Sequence, residues 1–150
     1  MRRLLRNGFA LFMLLASPFT LAADSLVAHD AWVREAPPGA VVLAAYLVLE
    51  NQGAQTDGLI GVTSPDFEAV DIHTTEIRAG IARMIALEKL PLPAHGQVVF
   101  APGGNHLMLL RPRHPLAAGS HVTLDLHFAS GTRLTVVAPV QAGAGPAHQR

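Results

Sequence analysis

The stretch from His121 to Phe128, HVTLDLHF, alternates without a break: Val122, Leu124, Leu126 and Phe128 fall on one side, and His121, Thr123, Asp125 and His127 on the other. Side chains of an extended chain point to opposite faces in turn, so this period of two describes a half-buried β-strand and excludes a helix. Similar short runs recur at 27–33, 41–50, 59–63, 67–76, 81–87, 97–100, 106–111 and 133–140. Turn signals separate them: PPG at Pro37, NQG at Asn51, SPD at Ser64, RAG at Arg78, PLPAHG at Pro91, PGG at Pro102 and SG at Ser130. About nine short strands at hairpin spacing predict an all-β domain, either a sandwich or a small Greek-key barrel. The nearly continuous apolar run 41–49 reads as a central strand covered on both faces, and Trp32 and Tyr46 read as core or core-edge aromatics.

The chain has 150 residues, one domain's length, and its 50% hydrophobic content is ample for a core. Residues 1–23 are set apart from the fold. Arg2, Arg3 and Arg6 precede the apolar run from Phe9 to Ala16, then come Pro18 and the small residues Thr20, Ala22 and Ala23, the order of features in a secretory signal. The apolar run is too short to favour a membrane-spanning helix, so the domain at 24–140 is expected in the periplasm without stable membrane insertion, followed by a flexible tail at 141–150.

Three of the 11 basic residues leave with the signal and all 11 acidic ones stay, which brings the remainder to −3 with His neutral. With Lys89 as the sole lysine there is no basic patch for nucleic acid. The chain has no Cys, so an exported domain of this kind holds together by its core, and thiolate chemistry is excluded. A monomer is expected.

Of four Met, Met1 and Met13 also leave, and the domain keeps Met84 and Met108. In GGNHLMLLRP, if Leu107 and Leu109 pack inward, His106 and Met108 share the opposite face, and Leu110 marks a bend or an end. The run DIHTTEIRAGIARMIAL reads as a hairpin turning at Arg78-Ala79-Gly80. Ile77 and Gly80 would flank a turn whose paired positions sum to 157, as His73 and Met84 do, so these two are expected to face each other. Each place thus sets one imidazole beside one thioether. Thioether sulfur is soft and neutral, a poor ligand for Zn, Mg or Ca, and imidazole accepts either copper oxidation state; the set fits Cu(I). Unlike a Cys pair, thioethers cannot be lost to disulfides in an oxidising compartment. Asp71 and Glu76 are candidates to orient His73. His29, His95, His114, His121 and His127 read as structural or solvated, although His121 and His127 share a face with Asp125 and would make an adventitious Zn or Cu(II) site.

The spacing H-x10-M-x21-H-x-M, together with AWVREAPPGAVVLAAYLVLENQG, PGGNHLMLL and LDLHFASGTRLTVVAPV, resembles the PCuAC family of periplasmic copper chaperones from about Ala28 to Val140. The resemblance implies a cupredoxin-like β-barrel holding Cu(I) at an exposed rim through His73, Met84, His106 and Met108. It also implies delivery to the CuA centre in subunit II of cytochrome c oxidase, alongside a Sco-type thioredoxin-like protein. Asn105 stands where family members often carry a bulky residue, and the tail offers only His148 where some members carry a Met- and His-rich extension.

A carrier of this kind needs no catalytic step, and no nucleophile, base and orienter set or H-E-x-x-H motif appears. A blue-copper or CuA protein would need a Cys thiolate, which this chain lacks. A copper-sequestering protein uses the same ligands, so delivery and storage remain alternatives at the level of sequence.

Overall fold

The computed structural model describes residues 25–143; the signal reading of 1–23 and the tail beyond Gly143 lie outside the described residues. Every regular element among them is a strand: β1 (Leu26–Arg34), β2 (Val42–Asn51), β3 (Asp57–Thr63), β4 (Phe67–Arg78), β5 (Ile81–Ala86), β6 (Leu90–Leu92), β7 (Gln97–Val99), β8 (His106–Pro112), β9 (His121–Phe128) and β10 (Arg133–Gln141). The ninth strand of the sequence reading, 133–140, extends one residue further, so Gln141 belongs to the sheet and not to a tail.

Strand order runs β5-β4-β8-β2-β1-β10-β9-β3-β6, and a further pairing of β4 with β3 closes seven of these strands into a barrel. Closure rests on one register pair, Val62 with Val70. β5 and β6 hang on the outside as edge strands, and β7 pairs with β2. The β1–β10 pair is parallel, with Val33 beside Val140, and the pairings among the other neighbours are antiparallel. β2 lies between β1 and β8 and is buried at every residue from Ala45 to Leu49, as its apolar sequence requires.

Ten strands replace the nine expected because Leu90–Leu92 lies within what the sequence presents as a proline-rich turn. Pro91 sits opposite Gly58 on an edge strand, where a residue with no N–H breaks no ladder.

The barrel interior is filled by the inward members of the alternating strands. Leu107, Leu109, Val122, Leu124 and Leu126 are fully buried, together with Val33, Ala45 and Leu59. Leu107 and Leu109 therefore pack inward as expected, and the odd-numbered residues of β4 next to Ile72 share the outer face with His106 and Met108. Beyond Leu110 the chain bends: Arg111 has a φ of 50°, a left-handed conformation uncommon for a residue with a side chain.

Candidate copper centre

The site lies on the outer face of β4, β5 and β8, where three antiparallel strands run side by side. His73 is paired directly with His106 across β4 and β8, and the rings meet edge to face with centroids 5.7 Å apart. Met108 follows two residues along β8, opposite Asp71 on one flank and Ala44 of β2 on the other.

Met84 reaches this face by a register that differs from the one expected. The hairpin turns on two residues, Ala79 and Gly80, both with positive φ (52° and 77°), and Arg78 pairs with Ile81. Two successive left-handed residues make the tight turn whose twist matches the strands it joins. Met84 consequently faces Thr75, and His73 faces Ala86, so His73 and Met84 are diagonal neighbours rather than directly opposed. The slip is by two residues. Because side chains alternate with a period of two, Met84 keeps the face that it was assigned.

Loop Ala101–Asn105 ties the His106 ring to β4. The Gly104 carbonyl accepts from the Thr75 N–H at 3.2 Å and lies 3.1 Å from His106 Nδ1. A carbonyl can only accept, so Nδ1 carries the proton and Nε2 is left with its lone pair free. His106 is 7% exposed, more buried than a residue on the outer face suggests, because the loop covers it. Its Nε2 and the Nδ1 of His73 are both buried and have no hydrogen-bond partner among the described residues. Buried polar atoms are ordinarily paired, so two orphaned imidazole nitrogens on residues paired across β4 and β8 are candidate metal donors.

On its other side His73 Nε2 lies 4.0 Å from an Asp71 carboxylate oxygen, near enough for electrostatic attraction and too far for a hydrogen bond. Glu76 does not serve His73. It stands on the opposite face of β4, across from Arg83, and its carboxylate takes Arg78 Nε at 3.0 Å. His121, Asp125 and His127 do not assemble either: His127 Nε2 is 3.0 Å from Thr63 Oγ1, Asp125 accepts from Thr135 at 2.6 Å, and no cluster of three His, Cys, Asp or Glu occurs among the described residues. His29 contacts Asp30, and His114 contacts Asp66.

Met84, His106, Met108 and Thr75 line one open groove of about 480 Å³, whose other walls include Arg34, Tyr46, Val42, Pro102 and Gly103. His73, the cross-strand partner of His106, does not line it. Met84 is 64% exposed on the edge strand, whereas the other donors are at least partly covered. Two soft sulfurs and two imidazoles thus share one face, three of them around a groove open to solvent. Sequence reading missed the Arg34 and Tyr46 wall; the signal was present, since Trp32 and Arg34 share parity in β1 and Tyr46 shares it with Ala44 in β2.

The family model described as "Putative lipoprotein LpqE-like" matches residues 26–140. Among curated proteins, a putative lipoprotein of Leifsonia xyli subsp. xyli is 32% identical over 120 residues, covering 79% of this chain and 71% of the relative. Among solved structures, the copper-bound PCuAC domain from PmoF2 is 27% identical with a TM-score of 0.68, covering 81% of this chain and 97% of that domain. The solution structure of the Cu(I) form of DR1885 from Deinococcus radiodurans is 29% identical with a TM-score of 0.65, covering 84% of both chains. The extent of the family match and a barrel shared with these PCuAC domains lead to one conclusion: the chain belongs to the LpqE-like family and has the cupredoxin-like fold of PCuAC domains.

Proposed function

We propose that this protein is an exported Cu(I) carrier that binds one copper ion through His73, Met84, His106 and Met108 and delivers it to the CuA centre in subunit II of a respiratory oxidase. The observation that carries the reading is the pair of unpartnered buried nitrogens, His106 Nε2 and His73 Nδ1, on the same face as the two methionines at Met84 and Met108. Two nitrogens and two thioethers form a neutral donor set soft enough for Cu(I) and poorly suited to hard divalent ions. The solved relatives named as copper-bound and Cu(I)-bound forms support the same cargo. Export is supported by the signal-like start of the sequence and by the lipoprotein names of the family and its Leifsonia relative.

Transfer needs no chemical step beyond ligand exchange. Met84 is the most exposed donor and sits on an edge strand, so it is the ligand to release first when an acceptor's donor enters the coordination sphere. Thiolates of a CuA centre bind copper more strongly than thioethers, which sets the direction. A Sco-type thioredoxin-like protein would act alongside in that delivery.

Anaerobic competition against a chromophoric Cu(I) chelator should show one tight equivalent, and mixing the loaded protein with an apo CuA domain should move the copper to it. Binding unaffected in the Met84→Ala, Met108→Ala double variant rules out the site. Tight binding without transfer leaves a sequestering protein.

A further inference from the structure

Arg34 ends β1 beside the donors. Val33 is the last residue of β1 paired with β2, against Ala45, and the next residue of β2, Ala44, is the partner of Met108; Arg34 and Ala44 both line the groove. The guanidinium carbon lies 5.7 Å from the Tyr46 ring centroid and 5.9 Å from that of Trp32, and these two buried rings stack on each other at 4.7 Å. An arginine over two fixed aromatic faces is held in place without an anionic partner. Among the described residues no carboxylate forms an ion pair with it; the adjacent Glu35 instead accepts the Ala118 N–H at 2.9 Å. Arg34 and Tyr46 line the same groove as Met84, His106 and Met108. The groove therefore combines neutral metal donors with one guanidinium positioned by aromatic contact, and Glu35, which also lines it, makes no ion pair with that guanidinium.

We propose that Arg34 is a charge-selecting residue: the guanidinium over Tyr46 and Trp32 shifts the groove's preference toward a singly charged soft cation, Cu(I), and away from a doubly charged one, Cu(II). The inference rests on the copper reading of the site. Repulsion from a fixed charge scales with the charge of the cargo, so Cu(II) is penalised twice as much as Cu(I). Two strand spacings separate β1 from β8, roughly 10 Å, and at the effective dielectric of a protein surface one such charge is worth roughly a tenfold difference between the two ions. Asp71, directly opposite Met108, and Glu35, in the groove wall, act in the opposite sense, and Arg34 and Asp71 are both exposed and screened by solvent; because substitution at Arg34 leaves both carboxylates in place, the difference between parent and Arg34→Gln reports the guanidinium alone.

The test compares the full chain with Arg34→Gln and Arg34→Lys. Cu(I) dissociation constants come from anaerobic chelator competition and Cu(II) constants from titration with the metal alone followed by electron paramagnetic resonance. Arg34→Gln should tighten Cu(II) about tenfold more than it tightens Cu(I). Arg34→Lys should keep most of the parent's discrimination, and that discrimination should shrink as ionic strength rises. Equal shifts for both ions, no Cu(II) binding by either parent or Arg34→Gln, or a lysine variant that matches glutamine would each overturn the proposal. A parent that binds no Cu(I) removes the copper reading itself, an outcome distinct from normal Cu(I) binding with unaltered discrimination.

Discussion

His106 and Leu107 are consecutive in β8 and face in opposite directions, and they should respond to mutation in opposite ways. Leu107 is fully buried among the barrel's aliphatic side chains, so Leu107→Ala leaves a cavity and should cost about 2–5 kcal/mol of stability in urea unfolding. His106 is almost as buried, but its Nε2 has no partner, a condition that costs about 1–3 kcal/mol in the metal-free protein. His106→Leu removes that atom, and the Gly104 carbonyl still receives the Thr75 N–H. The metal-free His106→Leu protein should be as stable as the parent or more so, while Cu(I) binding collapses. Met84 separates the two properties further. It is mostly exposed, so Met84→Ala should change stability by less than about 0.5 kcal/mol and yet weaken Cu(I) by tenfold or more in chelator competition.

At the scale of the element, the β4–β5 hairpin holds Met84 over the site by its register alone. All six residues of β5 are exposed, so little packing fixes the strand, and the turn carries much of its specification. Ala79 occupies a left-handed conformation at φ 52°, which strains a residue with a Cβ by about 1 kcal/mol. Ala79→Gly or Ala79→Asn should relieve part of this and stabilise the protein by about 0.5 kcal/mol, with Cu(I) affinity unchanged. One residue inserted between Gly80 and Met84 would have the contrary effect. It rotates Met84 to the face of Arg83 and should reduce Cu(I) affinity to that of Met84→Ala without unfolding the barrel.

For the whole molecule, one acidic residue joins three segments at the end of the barrel. Asp66, in the β3–β4 turn, accepts the Thr123 N–H at 2.8 Å with one oxygen and contacts His114 Nε2 at 2.8 Å with the other, and its carbonyl accepts the Arg113 N–H. Burial raises the Asp66 carboxyl, but the Thr123 N–H and His114 outweigh it and hold it below 3.8; the hydrogen bond to Asp66 lifts His114 above 6.5. The signs define a window. The depressed Asp66 stabilises the fold above its ordinary value and loses that contribution as pH falls through the folded one, while the raised His114 stabilises below 6.5 and loses its contribution as pH rises through its raised value. Melting temperature should therefore be highest between about pH 4 and 6.5 as far as this pair is concerned. His114→Ala should remove the decline on the alkaline side, and Asp66→Asn should remove both limbs. His114 is exposed, so the effect should weaken in high salt.

Much of this was legible in the chain. Strict alternation in β9 and the Leu107, Leu109 parity of β8 gave the strands and their inward faces, because a period of two follows from covalent geometry and holds whatever the strands pair with. The same parity put His106 with Met108, and His73 with Met84, on common faces, and it survived a misjudged turn because the register moved by an even number. What the sequence alone could not determine is everything that depends on which strand lies beside which. Only the tertiary fold set β4 against β8, so that His73 meets His106. Only the fold set the Gly104 carbonyl between His106 Nδ1 and the Thr75 N–H, and brought Arg34 from β1 to the groove. Those neighbours are far apart in the chain, and their contacts are decided by barrel closure and burial of the common core, to which every strand contributes and which no single segment encodes.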